Sequence, residues 1–323
     1  MMSRRHVLLG LGATTAAWPF TGQAQQPGLK RVGVMASLPL APIKRFHRKL
    51  QELGYVEGKN LALEYRFAEG RDELYTGFAA ELVALPVDLI VVWGTPAALA
   101  AKHATTTIPI LLGSIGDVVS TGIVQNLAHP EANITGFSGL NVELEEKRLE
   151  LLKELLPRLS RVAVLAHTEN PLSQVNLDVL RGAAQKLSIS IEAFDVRGVE
   201  DVGGALRALT AAHPDAALIT PDTLLLSQRT DIVEAMAAHR IPAIYPFREY
   251  AEAGGMVIYG ANLSILFERA AEYADKLLKG EKPGNLPVQQ ATAFELILNL
   301  KVAAALGLTV PPNVLVRADE VIE

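Results

Sequence analysis

The 323-residue chain is 50% hydrophobic and 20% charged, with a formal net charge of −5 and no cysteine. That is a globular composition, long enough for two lobes of ordinary size. The absence of cysteine excludes disulfides, thiolate metal sites, cysteine nucleophiles and a lipid-anchored cysteine. The one internal basic cluster, Lys44-Arg45-Phe46-His47-Arg48-Lys49, falls in a predicted helix and reads as a solvated face, so no nucleic acid partner is expected.

The first residues read as an address. Ser3-Arg4-Arg5-His6-Val7-Leu8-Leu9 is similar to a twin-arginine export motif, although Val7 and Leu9 depart from its usual residues. An apolar stretch over 8–20 follows, and Gly22-Gln23-Ala24 places small residues at a cleavage position. A membrane anchor would need roughly 20 predominantly apolar residues, and this run is broken by Gly10, Gly12, Thr14, Thr15 and Pro19. Residues 1–24 are therefore expected to be a signal peptide. Its removal takes two arginines and no acid, moving the net charge from −5 to −7 and leaving a chain that does not span the membrane.

From there strands and helices alternate. A strand over 31–37 leads to a helix over 42–53, stopped by Gly54, and a strand over 61–66 to a helix running from an Asp72 cap to Ala84. Leu89-Ile90-Val91-Val92-Trp93 is a β-branched apolar run, the pattern of a strand buried on both faces. It breaks at Gly94-Thr95-Pro96, where Thr95 reads as an N-cap and Pro96 as the first helical residue. Such a turn aims unpaired N–H groups at the carboxyl edge of a sheet, which suits an anion. Strands over 108–114 and 133–139 complete the series, and a helix over 143–156 begins a second one. Arg161-Val162-Ala163-Val164-Leu165-Ala166-His167 echoes the first strand. Helices over 173–187, 199–212 and 224–239 alternate with strands over 189–196, 216–220, 241–246 and 255–260. A helix over 265–278 follows; the segment over 294–307 reads either as one long helix or as a strand over 294–299 and a helix capped by Asn299, and the cap favours the second. The pattern predicts an α/β protein of two doubly wound parallel-sheet lobes with a break near Ser138.

No catalytic constellation emerges. Gly94-Thr95-Pro96 has no phosphate-loop lysine, and Gly136-Phe137-Ser138-Gly139 lacks the second flanking glycine of a hydrolase elbow. The histidines, among them His103, His129, His167, His213 and His239, have no metal-ligand spacing and read as structural, so no metal is expected. Glu145-Glu146-Lys147-Arg148 reads as a solvated helix face. What stands out is placement. Ser37, Thr95, Ser114, Asp117, Asn170, Asp222 and Thr223 follow the carboxyl ends of predicted strands, and Trp93, Tyr245, Phe247 and Tyr259 sit at the same edges. Singly each is a turn former, a cap or a core residue. Together they make the lining of a small-molecule cleft.

Several segments resemble one family: Gln51-Glu52-Leu53-Gly54-Tyr55-Val56-Glu57-Gly58-Lys59-Asn60, Thr95-Pro96-Ala97, Thr105-Thr106-Thr107-Ile108-Pro109-Ile110, Ile241-Pro242-Ala243-Ile244-Tyr245-Pro246-Phe247-Arg248-Glu249-Tyr250 and Leu306-Gly307-Leu308-Thr309-Val310-Pro311. The chain resembles the ABC transporter substrate-binding proteins of the tryptophan-binding-protein-like group. The resemblance implies a periplasmic binding protein type I fold, two lobes joined by hinge strands that close on a ligand. The first lobe is then expected over 28–138 and 262–288, and the second over 139–261 and 289–323. The expected ligand-binding residues are Ser37, Trp93, Gly94, Thr95, Ser114, Asp117, Ser138, Asn170, Asp222, Tyr245, Phe247 and Tyr259. Within that set the resemblance implies that Thr95 and Ser114 hold a carboxylate and Asp222 an ammonium.

The expected protein is an exported receptor, monomeric and without cofactor, that captures a small molecule such as an amino acid for an ABC permease in the inner membrane. With no lipidated cysteine to tether it, it is expected free in a periplasm. The alternative is an exported enzyme acting on a small carboxylate in the same cleft. Lysine at both Arg4 and Arg5 is expected to abolish export, checked by cell fractionation; undiminished export removes the twin-arginine reading.

Overall fold

The computed structural model describes residues 28–130, 133–139 and 142–323, so the segment read as a signal peptide lies outside the described residues. The strands are β1 (Lys30–Ala36), β2 (Leu61–Phe67), β3 (Leu89–Trp93), β4 (Ile110–Ile115), β5 (Ile134–Ser138), β6 (Arg161–His167) and β7 (Ser190–Val196). They continue with β8 (Ala216–Ile219), β9 (Ala243–Tyr245), β10 (Val257–Ala261), β11 (Gln289–Gln290), β12 (Phe294–Asn299) and β13 (Glu320–Ile322). The helices are α1 (Ala41–Glu52), α2 (Leu74–Ala84), α3 (Thr95–Ala104), α4 (Glu143–Leu155), α5 (Pro171–Leu187) and α6 (Val202–Ala211). After them come α7 (Thr223–Ser227), α8 (Arg229–Ala238), α9 (Glu249–Glu252), α10 (Leu263–Leu278), α11 (Leu300–Ala305) and α12 (Pro312–Leu315).

Two sheets result. The first runs β11-β5-β4-β3-β1-β2 and is parallel throughout. The second runs β13-β12-β10-β9-β8-β6-β7 and is parallel except where β12 pairs with β10. Central strands β3, β4 and β5 are buried along their whole length, whereas edge strands β2 and β7 are largely half-buried or exposed. This is why the central strands read as continuous apolar runs and β2 as an alternating one. Each sheet reverses its winding beside its first strand, between β1 and β3 and between β6 and β8. A ligand crevice forms outside the carboxyl ends of strands at such reversals.

The chain passes between the sheets after β5, β10 and β11. The passages lie side by side: Ala291 N–H donates to the Ser138 carbonyl at 2.9 Å and Asn262 N–H to the Ala293 carbonyl at 3.0 Å. Between them α10 packs on α1 and β4 of the first sheet. Gln289 and Gln290, placed in the second lobe from sequence, pair with β5 in the first sheet. A two-residue polar strand leaves no periodicity to read. The helix expected over 224–239 is two, α7 and α8. Ser227 Oγ donates to the Leu224 carbonyl at 2.6 Å, a side-chain bond that competes with the helical ladder just before Gln228.

Among the described residues no helix is long and apolar enough to cross a membrane. The helix face read as solvated is so only at Glu146 and Lys147. Glu145 and Arg148 are both fully buried and pair at 2.9 Å, with Arg148 Nε donating to the Tyr259 carbonyl at 2.9 Å. Burial raises the Glu145 carboxyl to about 7 against the lowering effect of Arg148. Arg148→Met would strand a buried carboxylate and is expected to cost about 3–5 kcal/mol. Urea unfolding checks this; adding Glu145→Gln should recover most of the loss.

Candidate functional site

The carboxyl edges of the two sheets face one another. A cavity between them is lined by Trp93, Gly94, Thr95, Ser114 and Gly116 of the first sheet's turns and by Asn170, Leu172, Pro221, Asp222, Thr223 and Phe247 of the second's. Seven of the expected residues thus meet in one place: Trp93, Gly94, Thr95, Ser114, Asn170, Asp222 and Phe247. The other five do not line it. Ser37 Oγ accepts from Gly70 N–H at 3.0 Å and ties β1 to the β2–α2 turn. The Asp117 carboxylate accepts from Val119 and Ser120 N–H, both at 3.0 Å, as a turn former. Ser138 Oγ donates to the Gly116 carbonyl at 3.0 Å. Tyr245 is buried and stacked on Tyr250, ring centroids 4.8 Å apart, and Tyr259 packs half-buried against the second core. Gly116, Leu172 and Pro221 had no chemical signature in the sequence, because small and apolar residues announce no polar role.

The helix termini at the cavity are not equivalent. In the second lobe Asn170 caps α5, accepting from Leu172 N–H at 3.0 Å, and Asp222 caps α7, accepting from Leu224 N–H at 2.7 Å and Leu225 N–H at 3.1 Å. In the first lobe Thr95 is not the N-cap expected of it. It is the first residue of α3, and the cap is Gly94 (φ 97°), which has no side chain to offer. A methyl on Gly94 would also lie 2.9 Å from Thr223 Cγ2, so glycine is required for conformation and for approach. The first-turn N–H groups of α3 therefore remain open toward the cavity while those of α5 and α7 are capped from within. Behind them Trp93 is held edge-on to Phe267, centroids 5.3 Å apart.

A buried ionic cluster forms the floor on the second-lobe side. His167, at the end of β6, is 2.9 Å from Asp222 Oδ2 through Nδ1, and Asn170 Nδ2 donates to the same oxygen at 2.8 Å. Burial alone would lower the His167 pKa, but the bond to Asp222, the charge of Asp222 and that of Asp72 raise it to about 9. Asp222 is pushed up by its own burial and pulled down further by His167, Asn170 and the Leu225 amide, so it stays below its ordinary value. His167, read as a scattered structural histidine, is thus an imidazolium paired to a site residue. Asp72, read as the cap of α2, does not cap it: α2 begins at Leu74 without a side-chain cap bond. The Asp72 carboxylate instead approaches His167 Nδ1 at 3.9 Å from across the cleft. Among the described residues no group of three or more His, Asp or Glu has a geometry for a metal ion.

Small residues let the lobes meet. A methyl on Gly116 would fall 2.0 Å from Leu172 Cδ2, and one on Gly70 2.4 Å from Ser227 Oγ. These contacts join first-lobe turns to second-lobe side chains, so the two edges are shut on one another.

Two lobes wound alike and closed over a polar cavity at their reversal points are the architecture of a solute-binding protein. The sequence matches the family described as ABC transporter substrate binding protein over residues 40–322, and the chain belongs to that family. Such proteins pair a small-molecule ligand with a transporter and typically work outside the cytoplasm. The chain is 27% identical to a tyrosine-binding protein of Clostridioides difficile over 266 residues, 82% of this chain and 76% of that one. An ABC domain in complex with L-Trp from Streptococcus pneumonia superposes with a TM-score of 0.84 at 25% identity, covering 91% of this chain and 100% of that one. A ligand-free, open substrate binding protein with adhesive properties from Clostridium difficile superposes with a TM-score of 0.62 at 26% identity, covering 91% and 99%. Of these two, at 25% and 26% identity, the ligand complex superposes better than the open form, in keeping with the closed lobes seen here.

The His167–Asp222 pair sets a pH dependence. The His167 pKa is raised from 6.5 to about 9, so its contribution to stability is complete below pH 6.5 and is lost as pH rises through about 9. Thermal unfolding followed from pH 6.5 to 9.5 should show a falling midpoint in the wild type and a flatter curve in His167→Gln.

Proposed function

We propose that this protein is the exported receptor of an ABC importer and that it captures an amino acid in the cavity between its lobes. The observation that carries the reading is the open N-terminus of α3: its N–H groups, the Thr95 hydroxyl and Ser114 converge on a cavity whose other helix termini are capped. That arrangement suits a carboxylate, which gains both hydrogen bonds and the favourable end of the helix dipole. Trp93 and Phe247 supply flat apolar surface for the side chain of the ligand. A tyrosine-binding relative and an L-Trp complex support an aromatic amino acid.

In this reading the protein works as a monomer, free in the periplasm after removal of residues 1–24, and its closed form is what the permease engages. Ligand contacts made to both lobes at once would drive closure. The lobes comprise the two sheets with their flanking helices, and the three adjacent passages between them act as the hinge. The enzyme alternative is disfavoured because the acid nearest the cavity, Asp222, is spent on capping α7 and pairing His167.

A thermal-shift panel of amino acids and aromatic carboxylates tests the reading. A ligand present at 100 times its Kd should stabilise the protein by about 2.7 kcal/mol. Thr95→Val is expected to weaken binding of any ligand that depends on its carboxylate by about tenfold, the equivalent of one hydrogen bond; an unchanged affinity removes Thr95 from the site.

A further inference from the structure

Asp222 has no acceptor capacity left. Oδ1 takes the Leu224 and Leu225 amides, and Oδ2 takes His167 and Asn170. A carboxylate offers about four lone-pair positions, and all four are filled from within the second lobe. The opposite holds for Asp72, which reaches the same cluster from the turn between β2 and α2 in the first lobe. Both of its oxygens are buried and neither has a hydrogen-bond partner. Two buried hydroxyls stand beside it, Tyr75 Oη and Thr223 Oγ1, within reach of one another and with no partner outside that pair. Tyr75 feels the charges of both Asp72 and Asp222, and Thr223 is itself a lining residue of the cavity.

Buried polar atoms in a folded protein are almost always partnered, so an unpartnered carboxylate beside two hydroxyls that have only each other marks a place at the lobe interface meant for something else. The charges say what. Asp72, Asp222 and the His167 imidazolium sum to one negative charge in a buried site, where an uncompensated charge is costly. A single cation with several N–H donors would neutralise it and satisfy Asp72, Thr223 and Tyr75 together.

We propose that Asp72, from the first lobe, is the acceptor for the cationic amino group of the ligand, with the Thr223 and Tyr75 hydroxyls as its partners, while Asp222 is the positioning residue that holds His167 and α7 in place. The inference rests on the amino-acid reading above and names the group that recognises the ammonium. It makes closure and recognition one event, because the ammonium bridges a first-lobe carboxylate to a second-lobe hydroxyl. Without a ligand, a proton substitutes for it: burial and the charge of Asp222 raise the Asp72 carboxyl to about 7.

Calorimetry on the mature chain tests this with L-tyrosine, with 3-(4-hydroxyphenyl)propionate, which has the same ring and carboxylate but no amino group, and with tyramine, which has no carboxylate. Wild type should prefer L-tyrosine over the deaminated acid by about 30-fold or more, the equivalent of about 2 kcal/mol for a buried charge pair. Asp72→Asn should erase most of that preference by weakening L-tyrosine, with the deaminated acid held within about threefold. The variant should fold with an undiminished unfolding midpoint, since Asp72 makes no hydrogen bond in the chain to lose, whereas Asp222→Asn should lower the midpoint whatever it does to binding. An intact preference in Asp72→Asn overturns the inference and leaves the amino-acid reading standing. Tyramine bound by wild type and lost in Asp72→Asn, with no amino acid bound, retains the inference and overturns the carboxylate reading. If wild type binds none of the three probes, nor any other amino acid, both are overturned.

Discussion

The structure around the cavity depends on one buried carboxylate. Asp222 ends the turn after β8, and its four accepted hydrogen bonds start α7, orient Asn170 at the head of α5 and hold His167 at the end of β6. Those three groups belong to two neighbouring strands on either side of a winding reversal, so a single side chain makes the carboxyl edge of the second sheet rigid. The cost of burying the carboxylate is offset by an imidazolium and three N–H donors, the condition under which a buried charge is tolerated. With its own edge tied down, the second lobe presents finished surfaces: capped helices, a threonine hydroxyl and the Phe247 ring.

The first lobe is finished in the complementary way. Its helix α3 begins at a glycine, its Thr95 hydroxyl is released from capping, and Asp72 reaches the interface with both oxygens unpaired. Most of the unsatisfied groups thus lie on the first lobe's face and most of the satisfied ones on the second's, with the Thr223 hydroxyl the exception. The glycines at 70, 94 and 116 allow the faces to approach until their side chains touch. In the proposed reading an amino acid, anionic at one end and cationic at the other, would take the open α3 terminus with its carboxylate and Asp72 with its ammonium.

Much of the fold was legible because its signals are local. β6 and β12 fall where apolar periodicity placed them, and Asn299 caps α11 through the Val302 amide as its position suggests. Clustering of polar and aromatic residues after strands pointed to the cavity and brought seven residues to it. The misses share one cause. Asp72 and Thr95 look like helix caps, and Glu145 and Arg148 like a solvated helix pair, because a cap or an (i, i+3) pair is what their sequence neighbours imply. Each is decided by what packs against it from a distant part of the chain: Asp72 by a histidine 95 positions on, Arg148 by a strand carbonyl 111 positions away.

What the sequence determined by itself is the architecture, since alternating buried strands and helices admit a right-handed parallel winding and little else. It also determined where a ligand could bind, because carboxyl edges at winding reversals are a property of that architecture. Only the tertiary structure decided how the site is charged. Whether a carboxylate is saturated or free depends on which donors reach it. Asp72 and Asp222 are the same residue type, each in a strand–helix turn, yet one finds four donors within its own lobe and the other faces a partner across the cleft.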